Sequence, residues 1–446
     1  MEGLTARRLA LKVIRQVTEE GAYASLALDN ALRNCGLNGN DRRLVSRLTY
    51  DTLDHLIWID WVLSRVMAKP DTDIKLRNIL RLGACQILLE DRIPDSAATN
   101  LSVQLCAELG MPGLKGVCNG ILRNLIRNKK ELTETERTPD TDREASIRYS
   151  IPEWLYRKIY DQYGEETDGI LSFRNSETGW MLRPNLTKMN DAEFEQLLNK
   201  KVWKKEKADL PHAWRISGAM DIARDADYLA GSYSIQSGGS MLACMALDVK
   251  RGQQVLDCCA APGGKSSYLA EMMNGTGRVQ AWDIHEHRVK LIEAQARRLS
   301  LENIRPMVRD ATKYREDLSE TMDAVLLDAP CSGLGFLAQK PDIKLHVTED
   351  SIKELTETQR KLLDMVSRYV KPGGTLVYST CSILKEENET QAEAFLTKHP
   401  EFEEIPLPVS VPEKYRARRN GHGLQLLEYK DGLEGFYLIR MRKKYD

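Results

Sequence analysis

Two cysteines follow two apolar segments in the C-terminal half of the chain, where a thiol could serve as a nucleophile. Cys331 lies in Asp328-Ala-Pro-Cys331-Ser-Gly333, and Cys381 lies in Tyr378-Ser-Thr-Cys381-Ser382. A thiolate is the reactive form of cysteine, whereas an isolated thiol is usually a small buried apolar group. We interpret five other cysteines as such apolar groups: Cys35, Cys85, Cys106, Cys118 and Cys244. The same interpretation applies for the most part to Cys258 and Cys259.

A glycine-rich turn stands upstream, directly after the apolar segment 255–259. It reads Cys259-Ala260-Ala261-Pro262-Gly263-Gly264-Lys265 and is predicted to open a helix. A phosphate-binding loop would need glycine five residues before Gly264, where the chain has Cys259, and the dinucleotide pattern G-x-G-x-x-G is absent here. The turn therefore favours an adenosine-bearing cofactor without a pyrophosphate.

Two acids complete this pattern. Asp283 ends the next apolar segment, 19 residues after Gly264, at a place where an acid binds ribose hydroxyls. Asp310, in Val308-Arg309-Asp310-Ala311, ends a third strand that lies between 278–283 and 323–328 in the chain. A carboxylate there can accept a hydrogen bond from the amine of adenine. Each acid alone is more often a helix cap, but the ordered trio of turn and two acids indicates S-adenosylmethionine. No C-x-x-C and no His/Cys cluster with zinc spacing occurs, so we expect no metal.

A single sheet can bring these loops together. From about residue 239, apolar strands (255–259, 278–283, 323–328, 375–379) alternate with helical patterns (265–273, 285–299, 349–370). This alternation predicts a parallel doubly wound sheet, with ligands at the carboxyl ends of its strands. Both cysteines are then expected at the edge that carries the cofactor.

Two cysteines beside a methyl donor indicate methylation of a pyrimidine at carbon 5. That carbon is a poor nucleophile until a thiolate adds at carbon 6, and loss of the C5 proton and of the thiolate completes the transfer. Asp328, if protonated or suitably hydrogen-bonded, can hold the polar edge of the base. An enzyme directed at an amino group would carry a second proline and an aromatic residue, whereas Pro330 is followed by Cys331.

The length of 446 residues predicts two or three domains. Helical periodicity and breaks predict an all-helical domain over 1–130, an acidic linker over 131–145, a small α/β domain over 146–235 and the cofactor domain over 236–446. No apolar stretch approaches the about 18 residues of a membrane helix, and the N-terminus lacks a signal pattern. We therefore expect a cytoplasmic protein without a membrane segment.

The formal net charge of −1 at first argues against a nucleic-acid partner. Residues 1–130, however, contain 19 Lys and Arg against 14 Asp and Glu, a balance of +5 that the acidic linker conceals. A second basic cluster lies in the tail, at Lys414, Arg416, Arg418 and Arg419. An RNA-binding front domain and an ordinary charged surface remain equally open on composition alone.

The three loops around Gly263, Cys331 and Cys381 resemble the signature loops of RNA cytosine-C5 methyltransferases. The helical front, with Arg7-Arg8-Leu9-Ala10-Leu11 and Asp41-Arg42-Arg43-Leu44-Val45, is similar to the RNA-binding domain of antitermination factor NusB. Together they resemble the bacterial RsmB/Sun/Fmu type, which methylates a cytosine of 16S ribosomal RNA.

The resemblance implies a fold and residue roles. It implies an all-α NusB-like N-terminal domain, a small α+β middle domain and a Rossmann-like class I methyltransferase domain. Cys381 would be the nucleophile and Cys331 would assist release of the adduct, an order that the residues alone do not give. The segment Cys259 to Lys265 with Asp283, Asp310 and Asp328 would bind the cofactor. The expected partner is 16S rRNA or an early small-subunit assembly intermediate, and we expect a monomer.

Two stretches depart from the family pattern, Gln236-Ser-Gly-Gly239 in place of Gln-Asp and Glu434-Gly-Phe436 in place of Asp-Gly-Phe. Two other functions stay open: the same chemistry on transfer RNA, and an RNA-binding or antitermination factor that has lost activity. The second function predicts a missing nucleophile or a broken cofactor loop, yet Cys331, Cys381 and Gly263 are all present.

Overall fold

A computed structural model of the chain describes residues 2–69, 71–133, 141–174, 179–218, 222–417 and 421–445. These residues form two compact units: a helical unit, Met1–Phe173 with Leu337–Val347, and a sheet unit, Arg174–Phe336 with Thr348–Asp446. Residues 134–140 of the predicted acidic linker, and Arg418 and Arg419 of the basic tail, lie outside the described residues.

The helices are α1 Glu2–Glu20, α2 Ala24–Leu32, α3 Gly39–Asp54, α4 Leu56–Val66, α5 Ile74–Leu89, α6 Asp95–Glu108, α7 Lys115–Thr133, α8 Asp142–Tyr149, α9 Glu153–Tyr163, α10 Glu166–Ser172, α11 Asp191–Asn199, α12 Ala226–Leu229, α13 Gly238–Leu247, α14 Gly264–Met272, α15 Glu286–Leu299, α16 Ile343–His346, α17 Glu349–Val366, α18 Glu389–Lys398, α19 Glu413–Arg416 and α20 Glu428–Asp431. The strands are β1 Trp180–Pro184, β2 Lys204–Lys207, β3 Trp214–Ser217, β4 Tyr233–Ile235, β5 Gln254–Asp257, β6 Arg278–Asp283, β7 Ile304–Val308, β8 Met322–Asp328, β9 Val370–Thr380, β10 Phe402–Glu404, β11 Leu424–Leu426 and β12 Phe436–Lys443.

The helical unit is built from amphipathic helices around one apolar core. In α1 the buried positions Ala6, Ala10, Val13 and Val17 recur at three- and four-residue spacing, so one face packs inward. Side chains cap several of its helices; for example, Asn38 accepts from the backbone N–H of Asp41 at α3, and Asp73 accepts from that of Lys75 at α5. Helical periodicity therefore predicted this part of the chain well.

The segment Leu337–Val347 belongs to the helical unit although it follows β8 in the chain. Lys344 Nζ lies 2.8 Å from Asp54 Oδ1 in an almost buried ion pair, and Asp342 Oδ2 accepts from the backbone N–H of Ala24 at 2.9 Å. Partners so far apart in sequence leave no periodic signal, so sequence patterning gave no indication of this placement.

A four-stranded antiparallel sheet, in the order β2-β3-β1-β4, forms the first part of the sheet unit. Phe194 of α11 packs edge-on against Trp214, at 5.0 Å between ring centroids, and next to Tyr233. Arg183 of β1 is fully buried and pairs with Glu271 of α14 at 2.5 Å, which joins this sheet to the following helix. The four strands and α11 give these residues the mixed α+β structure that the family resemblance implies for the middle domain.

An eight-stranded sheet forms the rest of the unit, in the order β10-β12-β9-β8-β5-β6-β7, with β11 beside β12. The five strands from β9 to β7 pair in parallel, as the alternation predicts. The sheet differs from the prediction on its other side, where the C-terminal strand β12 pairs antiparallel with β9. The carboxyl ends of the parallel strands share one edge, and the predicted site residues follow them.

Candidate active site

The glycine-rich turn connects β5 to α14 in a form that only glycine fits well. Gly263 has a φ of +105°, and a Cβ there would lie 3.1 Å from the Cα of Ile292. The turn is held by two backbone bonds, from the N–H of Ala260 to the carbonyl of Trp282 and from that of Gly263 to the carbonyl of Ala260, each 2.8 Å. The backbone N–H groups at the start of α14 are therefore set at the end of β5.

Lys265 and Asp328, predicted from separate loops, contact each other. Lys265 Nζ lies 2.6 Å from Asp328 Oδ2, and the hydroxyl of Ser379 donates to Asp328 Oδ1 at 2.7 Å. Burial lowers the pKa of Lys265, but the carboxylate of Asp328 more than offsets this and the net pKa is raised. The pair therefore links the glycine-rich turn to the strand that leads to Cys331.

Asp257, the last residue of β5, is a buried acid that sequence reasoning did not select. Its Oδ2 accepts from the Ser266 hydroxyl at 2.6 Å, while its Oδ1 is buried without a hydrogen-bond partner. Burial raises the pKa of Asp257 to about 6 despite the hydrogen bond from Ser266. Its place at the end of an apolar strand is the signal that could have identified it.

Asp283 and Asp310 end β6 and follow β7, as predicted, and each makes local bonds. Asp283 is buried and accepts from the backbone N–H of His285 at 2.9 Å, whereas Asp310 accepts from the hydroxyl of Thr312 at 2.6 Å. The Thr312 hydroxyl lowers the pKa of Asp310 and keeps this acid ionised. These are the turn contacts expected of any Asp at such a position, and they leave other lone pairs of both carboxylates available.

Two large apolar side chains beside these acids are exposed. Ile284, next to Asp283, is 56% exposed, and Val308, two residues before Asp310, is 50% exposed. Exposed aliphatic groups next to a hydrogen-bonding acid suit one face of a nucleoside base. Sequence reasoning passed over them because an apolar residue at a strand end is ordinarily part of the core.

The two predicted cysteines meet. Their loops follow β8 and β9, two neighbouring parallel strands in which Asp328 pairs with Ser379. The two sulfur atoms lie 3.1 Å apart. The hydrogen bond to the Cys381 sulfur, and secondly burial, raise the pKa of Cys331 well above its usual range. Either sulfur of the pair can donate the hydrogen bond to the other.

The upstream cysteines Cys258 and Cys259 differ from this pair. Burial raises the pKa of both thiols well above the usual value. A raised pKa disfavours the reactive thiolate form at both positions, which directly follow β5.

The stretches that depart from the family pattern contact each other beside the cysteine loops. The backbone N–H of Gly239 donates to Glu434 Oε1 at 2.8 Å. Gly335 and Gly435 exchange close backbone contacts, and a Cβ on Gly335 would lie 1.8 Å from the carbonyl oxygen of Gly435. Gly335 also donates its N–H to the carbonyl of Cys381 at 2.9 Å, so these departures still support the Cys381 loop.

Glu387 and Asn388, six and seven residues after Cys381, were also missed. Both are buried, and Asn388 donates to the carbonyl of Ser382 at 2.9 Å and accepts from Thr380 Oγ1. Glu387 accepts hydrogen bonds from serines of both cysteine loops. In the sequence both residues stand in the charged segment Glu386-Glu387-Asn388-Glu389, a pattern that is typical of a solvated loop. The pattern therefore gave no indication that they are buried.

Two absences apply to the described residues. Among them, no three or more His, Cys, Asp or Glu side chains form a group that could hold a metal ion. Within the same part of the chain, no helix is both long and apolar enough to cross a membrane.

Three family models match the chain. Residues 4–127 match the NusB family, residues 151–223 match the ferredoxin-like domain of RsmF/B-like methyltransferases, and residues 244–442 match the 16S rRNA methyltransferase RsmB/F model. These matches confirm the predicted fold class, with a helical NusB domain, a ferredoxin-like middle domain and a Rossmann-like methyltransferase domain.

Similar proteins match over the whole length. The probable ribosomal RNA small subunit methyltransferase B of Bacillus subtilis is 35% identical over 449 residues, covering 100% of both chains. The ribosomal RNA small subunit methyltransferase B of Yersinia pseudotuberculosis is 31% identical, covering 98% of both. These full-length matches extend across all three family models.

Solved structures agree. That of PH0851 has a TM-score of 0.82 at 26% identity and covers 99% of both chains. A methyltransferase homolog protein from Pyrococcus horikoshii has a TM-score of 0.59 at 27% identity, covering 69% of this chain and 100% of its own. The family models and the full-length relatives together confirm the predicted family: the chain belongs to the RsmB/F family of 16S rRNA methyltransferases.

Proposed function

We propose that this protein transfers a methyl group from S-adenosylmethionine to carbon 5 of a cytidine in 16S rRNA, through a covalent bond between Cys381 and carbon 6. The observation that carries the proposal is the 3.1 Å contact between the sulfurs of Cys331 and Cys381 at the carboxyl ends of neighbouring strands. Two thiols at one point of the proposed cofactor edge match a reaction that needs both addition and elimination.

The reaction begins at Cys381. Its thiolate adds to C6 of the cytosine, and the C5=C6 electron pair becomes available at C5. C5 then forms a bond to the methyl carbon, and the electrons of the broken sulfur–methyl bond stay on the donor. A general base, for which Cys331 is the candidate, takes up the C5 proton; the electrons of the broken C–H bond restore the double bond and the Cys381 thiolate leaves.

Cys331 assists the second half of this sequence. Its sulfur lies 3.1 Å from that of Cys381, so its thiol can donate a hydrogen bond to the Cys381 thiolate. The same hydrogen bond is available when the Cys381 thiolate departs. As the family resemblance implies, we assign Cys381 as the nucleophile and Cys331 as the residue that assists release.

The proposed cofactor site lies at the ends of β5, β6, β7 and β8. The open space beside Gly264, where no atom lies within 4 Å of the position of a Cβ, and the unpartnered buried oxygen of Asp257 suit a polar ligand that approaches the backbone closely. Asp283 would accept from ribose hydroxyls and Asp310 from the adenine amine, while Lys265 holds Asp328 in place. When bound, S-adenosylmethionine supplies an electrophilic methyl group on a sulfonium.

RNA as the substrate rests on the helical unit and on the relatives. The basic balance of residues 1–130 and the match to the NusB family support contacts to phosphates. The Bacillus and Yersinia relatives are ribosomal RNA small subunit methyltransferases by name. We propose 16S rRNA, or an early assembly intermediate that contains it, as the partner of a cytoplasmic monomer.

Bisulfite sequencing of ribosomal and transfer RNA from a deletion strain tests this function. We expect one cytidine of 16S rRNA to lose its protection from conversion, and complementation with the wild-type gene, but not with Cys381→Ala, to restore it. Loss of a methylated cytidine only from transfer RNA would overturn the ribosomal substrate. Unchanged methylation of both RNAs would support a non-catalytic RNA-binding factor instead.

A further inference from the structure

Glu387 is a buried acid placed between the two cysteine loops. Its side chain is fully buried, in the turn that joins β9 to α18. The proposed methyl transfer assigns it no part. A buried carboxylate is costly to desolvate, so its partners indicate what it contributes.

Neutral donors from three segments point at this carboxylate. From the Cys331 loop, Ser332 donates its backbone N–H to Oε1 at 2.8 Å and its hydroxyl to Oε2 at 2.6 Å. From the Cys381 loop, the hydroxyl of Ser382 donates to Oε2. From α17, the amide of Gln359 donates to Oε1 at 3.2 Å and also to the carbonyl of Pro330 at 2.9 Å.

Each serine directly follows a cysteine. Ser332 follows Cys331 and Ser382 follows Cys381, and the two hydroxyl oxygens are 3.1 Å apart on the same carboxylate oxygen. The sulfurs of the two cysteines are also 3.1 Å apart. One carboxylate therefore holds both loops one residue away from the reacting sulfurs, through the backbone and hydroxyl of Ser332 and the hydroxyl of Ser382.

Hydrogen bonds from hydroxyl groups to an ionised acceptor are short and strong, and their geometry is well defined. An apolar residue at position 387 would fill the space without fixing the distance between the loops. Resting on the proposed function, we propose that Glu387 is a positioning residue that sets the approach of the Cys331 and Cys381 sulfurs by holding Ser332 and Ser382.

The test compares Glu387→Ala, Glu387→Gln and Ser332→Ala/Ser382→Ala with the wild-type protein. We expect Glu387→Ala to lower kcat about 100-fold, as misplacement of reacting groups does, with KM for RNA and Kd for S-adenosylmethionine within about twofold. Glu387→Gln keeps an oxygen that accepts from the Ser332 N–H and an amide that donates to the serine oxygens. We therefore expect its kcat to be about tenfold higher than that of Glu387→Ala. The exposed Glu393→Gln on α18 is the matched control and should behave as wild type.

A double-mutant cycle separates positioning from a general loss of stability. If Glu387 acts through the two serines, Glu387→Ala should lower kcat by clearly less than about 100-fold when both serines are already alanine, because only the backbone N–H of residue 332 and the Gln359 amide remain as its partners. Full additivity of the two losses would overturn the proposal. If Glu387→Ala fails to fold, the glutamine and serine variants decide the matter, and wild-type kcat in both would overturn it.

A second readout needs no turnover. Diamide oxidises two adjacent thiols to a disulfide, taking up their two hydrogens and two electrons to become a hydrazine. Mass spectrometry of the peptides linked through Cys331 and Cys381 measures the rate of disulfide formation. We expect this rate to be about tenfold lower in Glu387→Ala than in the wild-type protein. Equal rates would overturn the proposal. A wild-type protein that forms this link quickly but methylates no RNA would overturn the proposed function alone.

Discussion

The two halves of the candidate site are held together in different ways. At the cofactor side, Asp283 and Asp310 are fixed by hydrogen bonds to residues two positions further along the chain. At the cysteine side, Cys331 meets Cys381 and Ser332 meets Glu387, contacts that span 50 and 55 residues. A change at Asp283 or Asp310 should therefore stay local, whereas a change on the cysteine side should affect both reacting sulfurs.

The largest effect is expected for Cys381→Ala, which removes the proposed nucleophile. We expect kcat to fall by about 10⁴-fold or more, because the sulfur that forms the bond to C6 is missing. Binding of S-adenosylmethionine, measured by calorimetry, should stay within about twofold, since the cofactor side is held by its own contacts. Cys35→Ala is the matched control in the helical unit, and a comparable loss in it would contradict the assignment.

Cys331→Ala should have the next largest effect and should act on a later step. We expect steady-state turnover to fall by about 10²- to 10³-fold, while the first covalent bond to RNA still forms. Denaturing electrophoresis should then show a protein–RNA band that the wild-type protein does not accumulate. A variant that releases product at the wild-type rate would show that the two sides are less different than the contacts imply.

Asp257 allows the cofactor side to be tested through stability. Its folded-state pKa is raised from 3.8 to about 6, so its favourable contribution is complete below about pH 4 and is lost as the pH rises through 6. That shift corresponds to about 3 kcal/mol. We expect Asp257→Asn to gain about this much unfolding free energy relative to wild type between pH 4 and pH 7, measured by urea unfolding without cofactor. A difference that does not change with pH would contradict the raised pKa.

The smallest effect is expected for Asp283→Asn. Loss of a charge-assisted hydrogen bond to a ribose hydroxyl should weaken S-adenosylmethionine binding by about tenfold. At saturating cofactor, kcat should remain within about twofold, because the cysteine side is untouched. The exposed Asp317→Asn, which removes a charge paired with Arg315, provides the control and should leave Kd unchanged. A kcat loss at saturation would mean that the two sides are coupled.

The same contrast explains which features the sequence could predict. The helices of residues 1–130, the parallel strands and the loops after them follow from periodicity and turn residues, which are local properties. The pairing of Cys331 with Cys381 was accessible because both follow strands of one sheet. Glu387 was not, because its burial results from serines on two loops, and a charged turn in a sequence is usually exposed. The C-terminal strand β12 and the segment Leu337–Val347 also depend on partners distant in sequence.

The central claim is that the Cys381 sulfur bonds to carbon 6 of a cytidine. The most direct test incubates the Cys331→Ala variant with 16S rRNA and S-adenosylmethionine, digests protein and RNA, and sequences the modified peptide by mass spectrometry. We expect one peptide that contains Cys381, carrying the mass of a methylated cytidine nucleotide. The same adduct on another residue, or no adduct from a variant that still methylates RNA, would contradict the account.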